Sequence, residues 1–236
     1  LDLNLQAQAD ALIAGGAAAI AIGSSHHHAS DQGGGNNPPP NAPPTISSGS
    51  TGAVDENAPT STAVYTTTAT DPEGQALTYS LSGADASSFS ISSAGVVTLN
   101  SSANYESKSS YSINVNVSDG TNTTTQAVTV SVHDVNEAPT VTSGDSASVA
   151  ENADASTVVY TATSTDPDTG QTITYSLSGA DAAALHIDAA TGAVTLINPA
   201  DFESKASYSF TVTATDSGTP ALSDSQDVTI HVTDVN

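Results

Sequence analysis

Short acidic motifs are the feature of this sequence with the clearest chemistry. They lie at Glu56-Asn57, Asp71-Pro72-Glu73, Asn104-Tyr105-Glu106, Asp119 and Asp134-Val135-Asn136-Glu137, and they recur at Glu151-Asn152, Asp166-Pro167-Asp168, Asp201-Phe202-Glu203, Asp216 and Asp234-Val235-Asn236. Carboxylate and amide oxygens in such numbers suit Ca²⁺, which takes about six to eight oxygen ligands. Any one of these motifs is also an ordinary turn sequence. Because five of them recur in step, we favour a cation site over a solvated acidic face.

The net charge of the chain supports this interpretation. There are 25 Asp plus Glu against two Lys plus Arg, which gives a formal charge of −23. Nucleic acids and anionic membrane surfaces would repel such a chain, whereas cations are its natural partners. The absence of cysteine excludes disulfides, thiolate metal sites and thiol catalysis.

The histidines do not form a catalytic motif. Three of the six form the run His26 to His28, and His133, His186 and His231 stand alone. None has the sequence context of a Ser-His-Asp triad or of an HExxH zinc motif. We therefore predict that the chain is not an enzyme.

An internal duplication organises most of the chain. Residues 53–85 match residues 148–181, and residues 104–120 match residues 201–218. The offset between matching glutamates is 95 at Glu56/Glu151 and 97 at Glu106/Glu203. A self-match of this length predicts two copies of one domain of about 95 to 100 residues.

The elements that carry the acidic motifs are predicted to be β-strands. Segments such as Tyr111 to Val117 and Tyr208 to Thr213 alternate apolar residues with Ser, Thr or Asn, which is the period of a strand with one buried face. Their spacing is typical of a β-sandwich, and the acidic motifs fall at strand ends.

The first 44 residues differ in composition from the rest. Residues 1–23 begin with alternating Leu or Ala and polar residues, as in a strand, and their apolar run is too short to be a transmembrane segment. Residues 24–44 are a Gly- and Pro-rich linker. Our hypothesis is that residues 1–23 add to the sheet edge of another copy and assemble a filament, the alternatives being a frayed terminus or a helix formed by the Ala-rich run.

From about residue 45 to residue 236 the chain resembles two tandem cadherin-type domains of the bacterial, adhesin-associated kind. The resemblance rests on the acidic motifs in their order and on the Tyr-x-Ile/Phe-x-Val strands that follow Glu106 and Glu203. It implies an all-β chain of two Greek-key β-sandwiches, at residues 45–136 and 137–236, preceded by the strand-like segment 1–23 and the linker 24–44.

The resemblance also implies two to three calcium ions at the boundary between the domains. The residues that would hold them are Glu56, Asn104, Glu106, Asn136, Glu137, Asp166, Asp168 and Asp216, with the backbone carbonyls of Val135 and Ala138. Two departures from the family pattern stand out. Asn104 replaces an aspartate that the second copy keeps as Asp201, and Glu137-Ala138 stands where animal cadherins have Asp-Asn.

Half-sites are expected at the two ends of the domain pair. The first consists of Asp71, Glu73 and Asp119, and the preceding Asn41-Ala42-Pro43-Pro44 lacks the acids that would complete it. The second consists of Glu151, Asp201, Glu203, Asp234 and Asn236. Because the second boundary motif breaks off at Asn236, and the chain begins without Met, we expect this to be part of a longer exported protein with further repeats.

The function that follows is a calcium-rigidified rod segment of an exported bacterial surface adhesin or fibre, extracellular or on the cell surface. Its partners would be calcium and other copies or further repeats of the same protein. The alternatives are a module that binds another cell or a glycan directly, and a spacer in a larger secreted hydrolase.

Overall fold

The computed structural model describes residues 39–235, which contain strands and two short 3₁₀ turns but no α-helix. The predicted all-β fold of two tandem sandwiches is confirmed. The predictions made for residues 1–23, and for most of the linker 24–44, lie outside the described residues.

The first copy contains nine strands. They are β1 (Thr45–Ile46), β2 (Thr51–Asp55), β3 (Ala63–Thr66), β4 (Ala69–Thr70), β5 (Thr78–Ser82), β6 (Phe89–Ile91), β7 (Val96–Leu99), β8 (Ser110–Ser118) and β9 (Thr123–His133), with a 3₁₀ turn at Ala86–Ser88 before β6. One sheet has the order β2-β9-β8-β5, the facing sheet has the order β3-β7-β6, and β1 pairs with β4. All pairings are antiparallel except that of β2 with β9.

The second copy repeats this arrangement. Its strands are β10 (Thr140–Val141), β11 (Ser146–Ala150), β12 (Val158–Thr161), β13 (Ser164–Thr165), β14 (Thr174–Ser178), β15 (Leu185–Ile187), β16 (Ala193–Leu196), β17 (Ser207–Thr215) and β18 (Ser223–Thr233), with a 3₁₀ turn at Ala182–Ala184. Its sheets have the orders β11-β18-β17-β14 and β12-β16-β15, and β10 pairs with β13.

Each sandwich has its own apolar core, which the alternating sequence explains. Along β8, Ile113, Val115 and Val117 are buried while the residues between them face outward. Because successive side chains on a strand point to opposite faces, this alternation fixes which face of the sheet is inside. The buried residues of the two copies form two separate clusters, so each copy has a core of its own.

Candidate metal centre

The parallel pairing of β2 with β9 brings two acidic motifs together. Asp55 and His133, the last residues of these strands, are partners in the ladder. Parallel strands end at the same edge of a sheet, so the next residues, Glu56 and Asp134, leave that edge side by side. The Glu56 backbone N–H donates to the carbonyl of His133 at 3.0 Å, which continues the ladder by one step.

Glu56 lies at the centre of the group that forms there. Its side chain is buried, with only 3% of the residue exposed, and its two oxygens accept different backbone donors. Oε1 accepts the N–H of Val135 at 2.9 Å, and Oε2 accepts the N–H of Tyr105 at 2.8 Å. The carboxylate thus joins the loop before β8 to the chain that leaves β9.

Three other carboxylates surround Glu56. Oxygens of Glu56, Glu106, Asp134 and Asp168 all lie within 4.8 Å of one another. Asp168 belongs to the second copy, so the group joins the two domains. The two lysines of the chain bind elsewhere, to Asp85 and Asp181, so neither of them neutralises these four acids.

The crowding of negative charge changes the pKa values of two members. A backbone hydrogen bond acts to lower the pKa of Glu106, but partial desolvation of this exposed residue and the charges of Glu56 and Glu137 outweigh it and hold that pKa above its ordinary value. Partial desolvation, followed by the neighbouring Asp168, Glu56 and Glu137, raises the pKa of Asp134, which is also exposed. Both shifts indicate a site at which a positive charge would be stabilised.

Residues 134–139, the interdomain linker between β9 and β10, connect this group to the second domain. The Glu137 N–H donates to Asp168 Oδ2 at 2.8 Å, and the Asn57 side-chain amide donates to Glu137 Oε1 at 2.8 Å. Asn57 has a left-handed backbone with φ of 57°, a conformation that asparagine tolerates better than most residues.

Asn136 docks on the loop that follows β17. Its amide nitrogen donates to Asp216 Oδ2 at 3.1 Å and to the carbonyl of Pro220 at 2.9 Å, and its oxygen accepts from Gln171. Burial acts to raise the pKa of Asp216, but donors that include the Leu222 N–H and the Asn136 amide outweigh it and lower that pKa.

Unpartnered oxygens show that the residues present fit a cation. Glu137 Oε2, Asp166 Oδ2 and Asp168 Oδ1 are buried, and within residues 39–235 they have no hydrogen-bond partner. A buried carboxylate oxygen without a donor is costly, and an ion with oxygen ligands removes that cost. Carboxylate oxygens converging from two domains are the donor set that Ca²⁺ prefers.

Three other predicted ligands, Asn104, Val135 and Ala138, have no described side-chain hydrogen bond to the group, although the Val135 backbone N–H binds Glu56. Asn104 begins the loop before β8, and its Oδ1 accepts the Ser107 N–H at 2.7 Å. Val135 and Ala138 are both exposed, and both lie in the segment whose carbonyls were predicted to take part.

The half-site of the first copy is bound by the segment that precedes β1. Asn41 donates to Asp119 Oδ2 at 3.0 Å, and the Ala42 N–H donates to Glu73 Oε2 at 3.2 Å. These contacts repeat those of Asn136 with Asp216 and of Glu137 with Asp168. Asp71 Oδ2 is unpartnered, like Asp166 Oδ2 in the second copy.

The half-site of the second copy repeats the first-domain side of the boundary. Oxygens of Glu151, Glu203 and Asp234 lie within 4.8 Å of one another. The Val235 N–H donates to Glu151 Oε1 at 2.8 Å, as Val135 does to Glu56. Asp201 accepts from Ser204 in its own loop, and Asn236 lies outside the described residues.

Asp134 lies in the central group but was not predicted among the boundary ligands. The signal was present, because Asp234, its counterpart in the second copy, was assigned to the second half-site. Asn57 and Gln171 were also missed. They touch Glu137 and Asn136 through contacts between residues distant in sequence, which no local pattern reveals.

Comparisons with known proteins identify the family to which the two domains belong. The chain matches the cadherin domain family over residues 50–133 and 145–233. It is 38% identical over 199 residues to the protocadherin-like wing polarity protein stan of Drosophila melanogaster, and 43% identical over 114 residues to human protocadherin Fat 1. These matches cover 78% and 46% of this chain but only 6% and 2% of the relatives, so the chain spans a small part of their length.

Solved structures show the same fold. Mouse cadherin-23 EC22-24 superposes with a TM-score of 0.60 at 30% identity, over 83% of this chain and 66% of that one. Human protocadherin-24 EC1-2 superposes with a TM-score of 0.64 over 82% of this chain and all of that one, and at 23% identity it supports the fold alone. In residues 39–235 no helix is long and apolar enough to cross a membrane.

Proposed function

The chain belongs to the cadherin family, whose members are non-catalytic adhesion proteins, and on that premise we propose that its two domains form an extracellular adhesive segment that calcium stiffens at their boundary. The membership agrees with the prediction that the chain is not an enzyme. It also makes these domains extracellular modules.

The observation that carries the proposal is the set of unpartnered oxygens on Glu137, Asp166 and Asp168 beside the four-carboxylate group. These oxygens belong to the linker and to the second domain, whereas Glu56 and Glu106 belong to the first. Ligands drawn from both sides of a boundary couple the orientation of the two domains to the binding of an ion.

The boundary between the domains is expected to differ with and without a bound cation. Without a bound cation, the carboxylates of Glu56, Glu106 and Asp168 repel one another across the boundary. Calcium, when bound, neutralises these charges and gives the domains common ligands. Binding then stabilises the folded chain by about 2.7 kcal/mol at a free calcium concentration about 100 times Kd.

We assign two to three ions to the boundary. The residues proposed to hold them are Glu56, Asn104, Glu106, Asp134, Asn136, Glu137, Asp166, Asp168 and Asp216, with the carbonyls of Val135 and Ala138. The half-sites at the two ends belong to the same proposal, and the domains are taken as residues 45–136 and 137–236.

The proposals on origin and on filament assembly rest on the sequence alone. Bacterial origin rests only on the resemblance of the motifs, and the relatives named above are animal proteins. Filament assembly is suggested by the alternation in residues 1–23. Copies of the same protein are the proposed partners. Direct recognition of a glycan and service as a spacer in a hydrolase remain the alternatives.

The test compares the wild type with Glu137→Ala in EDTA and in calcium. In the wild type, calcium is expected to raise the melting temperature and to narrow the distribution of distances between the domains in small-angle X-ray scattering. Glu137→Ala should reduce both effects and leave each domain folded, because Glu137 lies in the linker and in neither core.

Asp145→Ala is the matched control, because it removes one exposed carboxylate of the second domain away from the boundary. It should respond to calcium as the wild type does. A scattering profile that is the same in EDTA and calcium would exclude stiffening, and a first domain that unfolds in Glu137→Ala would exclude the placement of Glu137 at the boundary.

A further inference from the structure

The two lysines of the chain occupy equivalent positions. The sequence contains only two Lys or Arg, at Lys108 and Lys205, against a net charge of −23. Each lies two residues after a candidate ligand, Glu106 or Glu203, in the loop that precedes the longest strand pair of its domain. The two lysines therefore lie at the same place in the two copies, each beside an acidic loop.

In the first copy, Lys108 fastens this loop to the body of the sandwich. Its Nζ lies 2.5 Å from Asp85 Oδ1 and 4.9 Å from the centre of the Tyr111 ring. Asp85 Oδ2 accepts the Ser112 N–H at 2.8 Å, so the aspartate is anchored to β8. The Lys108 N–H donates to the carbonyl of Asn104 at 3.0 Å and closes the loop.

The second copy has the same set of contacts. Lys205 Nζ lies 2.8 Å from Asp181 Oδ1 and 5.4 Å from the centre of the Tyr208 ring. Asp181 Oδ2 accepts the Ser209 N–H at 2.8 Å, and the Lys205 N–H donates to the carbonyl of Asp201 at 2.9 Å.

The exposure of these ion pairs limits what they add to stability. The lysine side chains are 44% and 42% exposed, and ion pairs of this kind contribute about 0 to 1 kcal/mol. The ion pairs have a more specific effect on the position of the loop. Between its two ends, the loop carries Tyr105, whose N–H binds Glu56, and Glu106, which joins the four-carboxylate group.

We propose that Lys108 is a positioning residue for calcium: its bridge to Asp85 holds the loop of residues 104–108 against the sandwich and keeps Glu106 beside Glu56 and Asp134 before an ion binds. The inference rests on the proposed function, because it concerns the same site. Repulsion among the carboxylates pushes the loop outward, and the bridge opposes that movement. The Tyr111 ring contributes a further attraction to the ammonium group.

The direction in which a substitution of Lys108 changes the calcium affinity tests the proposal. The positive charge of Lys108 by itself repels a calcium ion, so its removal would raise the calcium affinity. A residue that positions the ligands has the opposite effect. Lys108→Met keeps most of the alkyl chain and removes the bridge, and we expect it to weaken calcium binding at the boundary about 10-fold, the size of effect seen when a residue that orients metal ligands is lost.

The measurement is a calcium titration followed by ¹H–¹⁵N spectra, with the amide signals of Glu106 and Glu137 as reporters of the boundary. Lys108→Arg, which can bridge to Asp85, should restore most of the affinity. Lys205→Met is the matched control, since it makes the same change in the second copy and should leave these two signals unaffected. Binding by Lys108→Met that is as tight as in the wild type, or tighter, would overturn the proposal.

A second readout needs no calcium. Trypsin cleaves after Lys and Arg, so the chain offers one site in each loop, and the cut after Lys205 is an internal reference for the cut after Lys108. In EDTA, Asp85→Asn should accelerate the cut after Lys108 severalfold relative to the cut after Lys205, because the loop opens more often. Asp181→Asn should do the reverse.

The two readouts distinguish the failure of each proposal. If the amide signals of Glu106 and Glu137 in the wild type do not change when calcium is added, the proposed function is overturned. The proposed effect of Lys108 on calcium binding is then overturned as well. Wild-type signals that respond, together with an unchanged ratio of tryptic cuts in Asp85→Asn, would overturn the positioning role alone.

Discussion

At the residue scale, the loops before the two longest strand pairs differ in charge at their first residue. Asn104 and Asp201 both begin the loop before a long strand, and both accept the N–H of the serine three residues later. Because the local structure is the same, the difference in charge can be tested without a change of fold.

Asn104→Asp is expected to raise the calcium affinity of the boundary. The substitution adds a carboxylate beside Glu106, and a favourable charge near an ion contributes about 1 kcal/mol or more at short range, or about fivefold in affinity. Calorimetric titration with calcium measures this difference in affinity between the variant and the wild type. Ser93→Asp, in the exposed turn between β6 and β7, adds the same charge elsewhere in the domain and should have a much smaller effect. An affinity equal to that of the wild type would mean that position 104 does not face the ion.

The raised pKa values of Glu106 and Asp134 predict an unusual pH dependence of the metal-free protein. Their ordinary values are 4.5 and 3.8, and in the folded state both are higher. The folded chain then holds protons that the unfolded chain has released. Their contribution to the free energy of unfolding therefore increases as the pH falls from about 7 through the raised pKa values, and it is complete below the ordinary ones.

Urea unfolding in EDTA at several pH values between about 7 and about 5 measures this trend. Glu106→Gln, which cannot ionise, should flatten it. Stability that falls steadily over this range in the wild type, with no difference in Glu106→Gln, would contradict the expected crowding of charge.

At the scale of elements, the boundary depends on a close approach between the linker and the loop after β17. A Cβ added to Gly218 would lie 1.9 Å from Asn136 Oδ1, so only glycine leaves room for the Asn136 side chain. The first copy has an equivalent docked segment before β1. Asn41 binds Asp119, and Gln75 binds Asn41, as Asn136 binds Asp216 and Gln171 binds Asn136. We infer that these residues dock on the domain that follows them.

Gly218→Ala should therefore displace Asn136 and weaken the coupling between the domains. We expect a cost of about 1 to 3 kcal/mol in the docked linker, the usual size for an added methyl group that does not fit. Small-angle scattering in calcium should show a broader distribution of distances between the domains. Gly144→Ala is the control, since the nearest atom to its added Cβ is 4.0 Å away. Equal scattering from both variants would show that the contact is dispensable.

At the scale of the whole molecule, the net charge of −23 is the dominant electrostatic fact. A general excess of negative charge responds to any salt, because ions shorten the Debye length from about 30 Å at 0.01 M to about 3 Å at 1 M. A specific binding site, by contrast, is stabilised by one kind of ion. The two contributions can therefore be separated by the identity of the cation.

Calcium should raise the melting temperature far more than magnesium at the same concentration of about 1 mM. Mg²⁺ demands a small octahedral shell and gives up its water reluctantly, whereas Ca²⁺ accepts larger and less regular sets of oxygens. Calorimetric melting in EDTA, in magnesium and in calcium makes the comparison at fixed ionic strength. Equal shifts for both ions would indicate screening alone and would count against the site.

Local patterns were sufficient to predict the sandwich and most of the candidate ligands. The alternation in β8 and the motifs around Glu56, Glu106 and Asp168 can each be read within a few residues, because strand periodicity and turn chemistry are local properties. The duplication is visible when the two halves of the sequence are compared. The sequence by itself thus determined two β-domains with acidic residues at their strand ends.

Only the tertiary structure decided which of those residues meet. Asp134 joins Glu56 because β2 runs parallel to β9, although 78 residues separate Asp55 from its ladder partner His133. Lys108 reaches Asp85, and Asn136 requires Gly218, for the same reason. These distances depend on the order and direction of strands, which arise from burial of the whole core and leave no mark in any short segment.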